Sequence, residues 1–484
     1  MNPPIVLGIV LGYFLILILI SLFTSRNADT QSFFTANRKS PWYLVAFGMV
    51  GAALSGVTFI SVPGEVGNSA FSYLQFVLGN IVGYWLVAAI LLPLYYRLNL
   101  VSIYSFLEGR FGVCSYKTGS FFFLLSKLIG ASFRLYLVAV VLQIAFFDAF
   151  QIPFALTVTV TIALIWVYTF RGGIKTIVWT DTLQTLFLVS AVIFTIVAIS
   201  KNLGWSVKDL FNEVADHPNA KIFFWDWRSG NHFFKQFFSG MFITIVMVGM
   251  DQDMMQKNLT CRNKKEAQKN MVVFSFSFLV TVFMFLCLGV LLYIFAEERG
   301  IALPAKSDDL FPMLALQYFG LPVGIAFLLG ITAAAYSSAD SALTALTTSF
   351  SIDFMKIDRY SEQKKQQIKK WSHLLFSVLL IVVILIFRAI NNESIVVAVF
   401  RVAGYTYGPI LGLFIFGMYC KRKVKDKWVP FIAVLAPVFC FFISKYSEII
   451  FNGYSFGFEL LILNGLITMF GLFMISEKYV AEHE

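Results

Sequence analysis

The sequence predicts an all-α integral membrane protein with about thirteen transmembrane helices, and three observations predict it. Of 484 residues, 58% are hydrophobic, 17% aromatic and only 13% charged, with 54 phenylalanines. A soluble single domain neither exposes nor buries that much apolar surface. Apolar runs long enough to cross ~30 Å of hydrocarbon recur along the whole chain. Lys and Arg are concentrated in alternate loops between those runs, as the positive-inside bias requires.

The runs fall at about residues 4–24, 42–63, 70–96, 118–149, 152–170, 176–200, 233–255, 270–296, 314–350, 371–390, 393–419, 428–446 and 458–475. The first, "IVLGIVLGYFLILILISLF", has no basic n-region and no small-residue cleavage site, so a retained helix is expected and not a signal peptide. Alternate loops hold about 25 of the 37 Lys and Arg: Arg26, Arg38 and Lys39, then Arg97 to Lys117, Arg171 and Lys175, Lys257 to Lys269, Lys356 to Lys370, Lys421 to Lys427, and Lys478. The opposite loops hold about nine. This bias puts the amino terminus outside and the carboxyl terminus in the cytoplasm. The net charge of +10 is therefore a topological signal and not a nucleic-acid footprint.

The second run contains "GMVGAALSGVTFISVPG", in which Gly48, Gly51 and Gly56 interrupt a helical pattern and Pro63-Gly64 is expected to end it. A broken helix exposes backbone carbonyls at membrane depth, tolerated only where protein or a cavity satisfies them. The fourth run carries Lys127 and Arg134, seven residues apart and on one face. The sixth opens with "RGGIKTIVWTDTLQTLF", a tight turn followed by Asp181, Gln184 and Thr185 on one face. The seventh leads into a second break, "SGMFITIVMVGMDQDMMQKN". Paired interrupted helices in corresponding halves are the sequence sign of an inverted-repeat transporter.

The ninth run holds "AAAYSSADSALTALTTS". Ala334, Ser337, Ser338 and Ser341 recur at i, i+3, i+4 and i+7, one small and polar helix face, with Asp340 beside it. Close helix packing accounts for such a face on its own. An intramembrane carboxylate points to a functional site, and hydroxyls with freed carbonyls form an all-oxygen cage suited to a hard cation such as sodium. Asp181 likewise either pairs locally or holds a cation. The eleventh run, "AVFRVAGYTYGP", brings Phe400 and Arg401.

Other chemistries lack their residues. Cys114, Cys261, Cys287, Cys420 and Cys440 fall in cytoplasmic loops or helices, which implies no disulfide framework. His217, His232, His373 and His483 have no metal-ligand spacing. No loop exceeds roughly 35 residues, too short for a soluble catalytic domain. No nucleophile stands with a base and no phosphate loop occurs, so an enzyme is not expected.

In order and at the right separations, "SFFTANRKSPWYLVAFGMVGAALSGVTF", "FRGGIKTIVWTDTLQ", "GMDQDMMQKNLTCRNKKEA" and "AAYSSADSALTALTTSFSIDF" resemble the motifs of the sodium/solute symporter family, over about residues 4–475. That family includes sodium-coupled sugar, proline, sialic acid, iodide and vitamin carriers. The resemblance implies a leucine-transporter-type inverted 5+5 repeat: residues 1–41 an extra helix and loop, 42–200 the first repeat, 201–232 an extracellular loop, 233–419 the second repeat, and 420–484 two peripheral helices and a tail. It implies a sodium site of Gly51, Leu54, Ala334, Ser337 and Ser338, and a second one of Asp181, Ser337, Asp340 and Ser341. Asp340 departs from the small residue usual there; it either adds charge to the second site or neutralises a nearby base. Candidate substrate contacts are Ser55, Thr58, Phe76, Asn80, Arg134 and Thr244. Arg134 resembles in placement the arginine that meets the substrate carboxylate in sialic acid members; pairing with Asp181 or Asp340 is its other reading. Thr244 stands where sugar and sialic acid members often carry Asn, and Phe400 and Arg401 stand where sugar carriers place a glutamine.

The expected function is sodium-coupled import, through the plasma (inner) membrane, of a small organic solute. An anion such as a sialic acid or another carboxylate is favoured, with a sugar or amino acid as the alternative. A passive channel or a transporter-like sensor is remoter; a sensor needs a signalling domain where only "SEKYVAEHE" follows.

Overall fold

A computed structural model of the protein describes residues 3–25, 30–145, 147–390, 395–454 and 456–478. Arg26, the head of the eleventh run at 393–394, and His483 in the tail lie outside the described residues. The fold is nearly all-helical because a backbone crossing hydrocarbon must satisfy its own polar groups. In chain order the principal helices are α1 Pro3–Ser25, α2 Trp42–Ala53, α3 Gly56–Ser69, α4 Tyr73–Leu86, α5 Val113–Ala145, α6 Phe154–Gly172, α7 Ile174–Leu203, α8 Phe233–Thr244 and α9 Gln252–Asn258. There follow α10 Lys264–Glu298, α11 Leu321–Ser349, α12 Glu362–Ile390, α13 Ile395–Thr406, α14 Gly408–Tyr419, α15 Val429–Lys445 and α16 Leu460–Met474. A short antiparallel ribbon pairs β1 Arg422–Val424 with β2 Ser476–Lys478, Arg422 opposite Lys478.

Among the described residues seven helices are long and apolar enough to span a membrane, or nine when each of two bent pairs is taken as one span. The chain is thus a multi-pass membrane protein by length and composition. The bent pairs are α8–α9, at 69°, and α13–α14, at 41°.

Several expected boundaries move. Pro63 does not end its helix: it lies inside α3, and the break falls earlier, at Leu54 and Ser55. α10 packs closely there: a Cβ on Gly289 would stand 2.6 Å from the Pro63 carbonyl oxygen. The run at 314–350 divides, because Gly320 takes a positive φ of 81° and separates α11 from the short helix Leu310–Gln317. Lys257, counted above with a cytoplasmic loop, is buried. The bend before α9 folds that helix back into the bundle, and all of its seven residues are buried.

The crossing of α4 and α8 holds the first half of the α8–α9 bend tightly against α4. A Cβ on Gly79 would stand 1.9 Å from the Phe237 carbonyl oxygen, and one on Gly240 would stand 2.0 Å from that of Phe76. Backbone on both sides cannot yield as a side chain can. Gly240→Ala is therefore expected to cost about 3 kcal/mol or more, above ordinary overpacking. The reading is loss of the monodisperse peak in detergent size-exclusion chromatography, with Gly109→Ala, whose Cβ meets nothing within 4 Å, as the tolerated control.

Candidate functional site

The break between α2 and α3 positions the site. Leu54 still donates its N–H to the Val50 carbonyl at 2.8 Å, but Ser55 is extended at ψ 169°, so the last carbonyls of α2 lose their helical donors. Side chains approach this break from two directions. From α11, Ser338 Oγ donates to the Ala52 carbonyl at 3.4 Å. From α7, Thr185 Oγ1 accepts from the Gly51 N–H at 2.9 Å and itself donates to the Asp181 carbonyl at 2.8 Å. Gly51 has to be glycine here, since a Cβ would meet Thr185 Oγ1 at 2.3 Å.

On the same side of α11, Ser337 Oγ donates to Asp181 Oδ1 at 2.6 Å. Leu54, Ala334, Ser337 and Ser338 are all buried. The set offers hydroxyl and carbonyl oxygen without sulfur or nitrogen, which fits a hard cation. Asp340 accepts from Tyr168 OH at 2.8 Å and from Ser341 Oγ at 3.3 Å. The other oxygen of Asp181, Oδ2, faces Lys257 Nζ at 2.7 Å.

Beyond the break lies a cavity of about 390 Å³ whose walls include Ser55, Thr58, Phe76, Asn80, Arg134 and Thr244. All six candidate substrate contacts therefore line one space. Phe76 forms an aromatic wall, its ring stacked on Tyr73 at 5.4 Å and edge-on to Phe400 at 5.4 Å. Asn80 and Thr244 are tied to each other across the α4–α8 crossing: with its amide nitrogen turned to donate, Asn80 reaches the Thr244 hydroxyl at 3.1 Å and the Gly240 carbonyl at 2.9 Å.

Lys127 and Arg134, both on α5, part company. Lys127 Nζ lies 2.7 Å from Asp253 Oδ2 and 3.3 Å from Asp251 Oδ1. Asp251 in turn caps α9 by accepting from the Asp253 N–H at 2.8 Å, and accepts from Tyr407 OH at 2.6 Å. Lys127 thus fastens the bend to α5. Lys127→Met would leave two buried carboxylates without their ammonium, a loss of about 3–5 kcal/mol; a lowered melting temperature in detergent checks it, and Lys127→Met with Asp253→Asn is expected to recover part of it.

Arg134 is different. Partly buried on the cavity wall, it makes no ion pair or hydrogen bond among the described residues. Pairing with Asp181 or Asp340 is ruled out as its role in this structure, because those carboxylates meet Lys257 and Ser337, and Tyr168 and Ser341.

Sequence reasoning passed over Lys257, Asp251, Asp253, Tyr168 and Tyr407. A signal for three of them was present in "DQDMMQKN": Asp253 and Lys257 are spaced i, i+4 at membrane depth, where a charge is costly and calls for a partner.

Residues 33–426 match the model of the sodium:solute symporter family. The chain belongs to that family. It is therefore a sodium-coupled transporter and not an enzyme, and its cargo is sodium together with a small solute. Among curated members, the chain is 26% identical to the sodium/sialic acid symporter NanT of Aliivibrio fischeri, over 83% of this chain and 80% of that one. It is 25% identical to the sodium/sialic acid symporter SiaT of Proteus mirabilis, over 89% and 88%. The human sodium/iodide cotransporter is 24% identical over 84% of this chain and 65% of its own. In three dimensions the symporter resembles a sodium-coupled sialic acid symporter solved substrate-bound and outward-open, with a TM-score of 0.82 at 20% identity over 98% and 99% of the two chains. It resembles Mhp1, a nucleobase-cation-symport-1 transporter, with a TM-score of 0.56 at 14% identity over 92% and 93%. At these identities the structural likeness concerns the fold.

Proposed function

We propose that this symporter imports a small organic anion, a carboxylate such as a sialic acid, together with sodium. The observation that carries the reading is Arg134: a guanidinium on the wall of a cavity, without an ion pair or hydrogen bond among the described residues, is suited to the bidentate recognition of an anion. Sialic acid carriers among the relatives agree with it. Sodium binds at the break, held by carbonyls of Gly51, Leu54 and Ala334 and hydroxyls of Ser337 and Ser338. Asp181, Ser337, Asp340 and Ser341 form a second cation site beside it. Sodium favours the outward-open state, the substrate enters next to it, and the two halves rock about the fixed site.

The finer architecture belongs to the same reading. Thirteen spans place the amino terminus outside and the carboxyl terminus in the cytoplasm. Residues 42–200 and 233–419 are two inverted five-helix repeats, with breaks at Leu54 and at Met250 in corresponding positions. Residues 1–41, 201–232 and 420–484 are the flanking helix, outer loop and peripheral pair.

The experiment is uptake into proteoliposomes containing the purified protein. An inward sodium gradient is expected to concentrate labelled sialic acid or another carboxylate above its outside level, and a sodium ionophore to abolish this. Sodium-driven accumulation of a hexose or an amino acid in preference to every carboxylate tried overturns the anion; downhill equilibration indifferent to sodium overturns symport.

A further inference from the structure

The contact between Lys257 and Asp181 has a meaning for coupling. Lys257 stands on α9, in the half of the bent helix that turns back into the bundle, and its side chain is 2% exposed. Its Nζ lies 2.7 Å from Asp181 Oδ2, whose own side chain is 1% exposed. The other Asp181 oxygen takes the Ser337 hydroxyl at 2.6 Å. The charges of Asp253 and Asp340 act on Lys257 as well. A single fixed ammonium therefore stands against Asp181 of the second cation site, whose other oxygen is held by Ser337, and feels the charge of Asp340 as well.

An ammonium and a sodium ion carry the same charge and both seek oxygen. They differ in that the ammonium is covalently tied to α9 and remains when the cargo leaves. We propose that Lys257 is the resident cation of this second site, so that the transporter binds and moves one sodium ion per substrate, at the break between α2 and α3. This rests on the symport reading above. A mobile sodium at Asp181 would have to sit against the Lys257 ammonium, where like charges at near-contact distance repel each other with little water to screen them. Lysine also lacks the fork that lets arginine hold a carboxylate with two bonds. It acts here as a point charge, as an ion does.

Sodium counting tests this without knowledge of the substrate. Equilibrium binding of radioactive sodium to the purified protein, in detergent and without any solute, is expected to saturate at about one ion per chain with a Hill coefficient near unity. Lys257→Met exposes Asp181 to solution ions, and binding is expected to rise to about two per chain. Asp181→Asn added to Lys257→Met should return it to about one. Lys257→Arg keeps the charge and should stay at about one, which holds the test together if Lys257→Met does not fold. With a tenfold sodium gradient and no membrane potential, one-ion coupling limits accumulation to about tenfold, against about a hundredfold for two. The proposal is overturned by a wild-type chain that binds two ions and loses one in Asp181→Asn. It is equally overturned by a folded Lys257→Met that still binds one. A chain that binds one sodium but transports no carboxylate refutes the anion reading and leaves this one standing, whereas a chain that binds no sodium ends both.

Discussion

Arg134→Ala is expected to abolish carboxylate binding and leave sodium binding intact. Truncating one partner of a desolvated, hydrogen-bonded charge pair costs about 2–5 kcal/mol, so affinity should fall by roughly thirtyfold to several thousandfold. Arg134→Lys keeps a charge but loses the planar fork, so it should lie between wild type and Ala. Because Arg134 makes no ion pair or hydrogen bond among the described residues, neither variant breaks a direct contact to a carboxylate, and both should fold. Isothermal titration with the best carboxylate from the uptake screen, followed by sodium titration of the same samples, reads both quantities. A variant that misfolds or loses sodium binding, and is rescued by Asp253→Asn, would make Arg134 an internal counter-ion; Asp253 is the carboxylate on which the Arg134 charge acts.

The second large effect is expected at the serine pair. Ser338→Ala removes a hydroxyl that stands 3.4 Å from the Ala52 carbonyl and touches no charge, so its effect should appear as sodium affinity alone. A hydrogen bond or ligand contact to a charged group is worth about 1.5–3 kcal/mol, or a rise in half-saturating sodium of roughly ten- to a hundredfold. Ser337→Ala should do this and more, since it also strips the 2.6 Å donor from Asp181 Oδ1 and leaves a buried carboxylate oxygen short of a partner. A lowered melting temperature is thus expected for Ser337→Ala and not for Ser338→Ala. Initial uptake rates against sodium concentration, with size-exclusion profiles of both variants, measure it. Unchanged sodium dependence in both would remove the cation from this place.

Local physics accounts for what could be read without coordinates. Runs of Phe, Leu, Ile and Val have one stable form in hydrocarbon, the helix, so the membrane class and most of the spans were legible. Glycine spacing in "GMVGAALSG" and the charges of "GMDQDMMQKN" marked the two places where helices would bend. The error at Pro63 shows where that reading stops. A proline is expected to end a helix, as it does in water, yet Pro63 lies inside α3, which runs on to Ser69 with Gly289 of α10 packed against it. A propensity of a few kcal/mol is overruled when a neighbouring helix makes the alternative worse.

Partners were the other gap. The face of Ala334, Ser337, Ser338 and Ser341 follows from a period of 3.6, and the cost of a charge in lipid marks Asp181, Asp340, Lys127 and Arg134 as needing something. Periodicity says which side chains share a face but not which distant helix that face meets. The pairing of Lys257 with Asp181 joins positions 76 residues apart in sequence, and that of Lys127 with Asp253 joins positions 126 apart. Counting charges by loop placed Lys257 in the cytoplasm because an isolated lysine after an apolar run belongs in water. Only the 69° bend before α9, which turns that stretch back among α7 and α11, gives its ammonium a buried carboxylate and leaves Arg134 on the cavity wall without an ion pair among the described residues. Composition and period thus set the solvent, the helices and the polar faces, because those depend on each residue and its near neighbours. Which charge neutralises which depends on helices meeting across the bundle, and that was decided by tertiary packing alone.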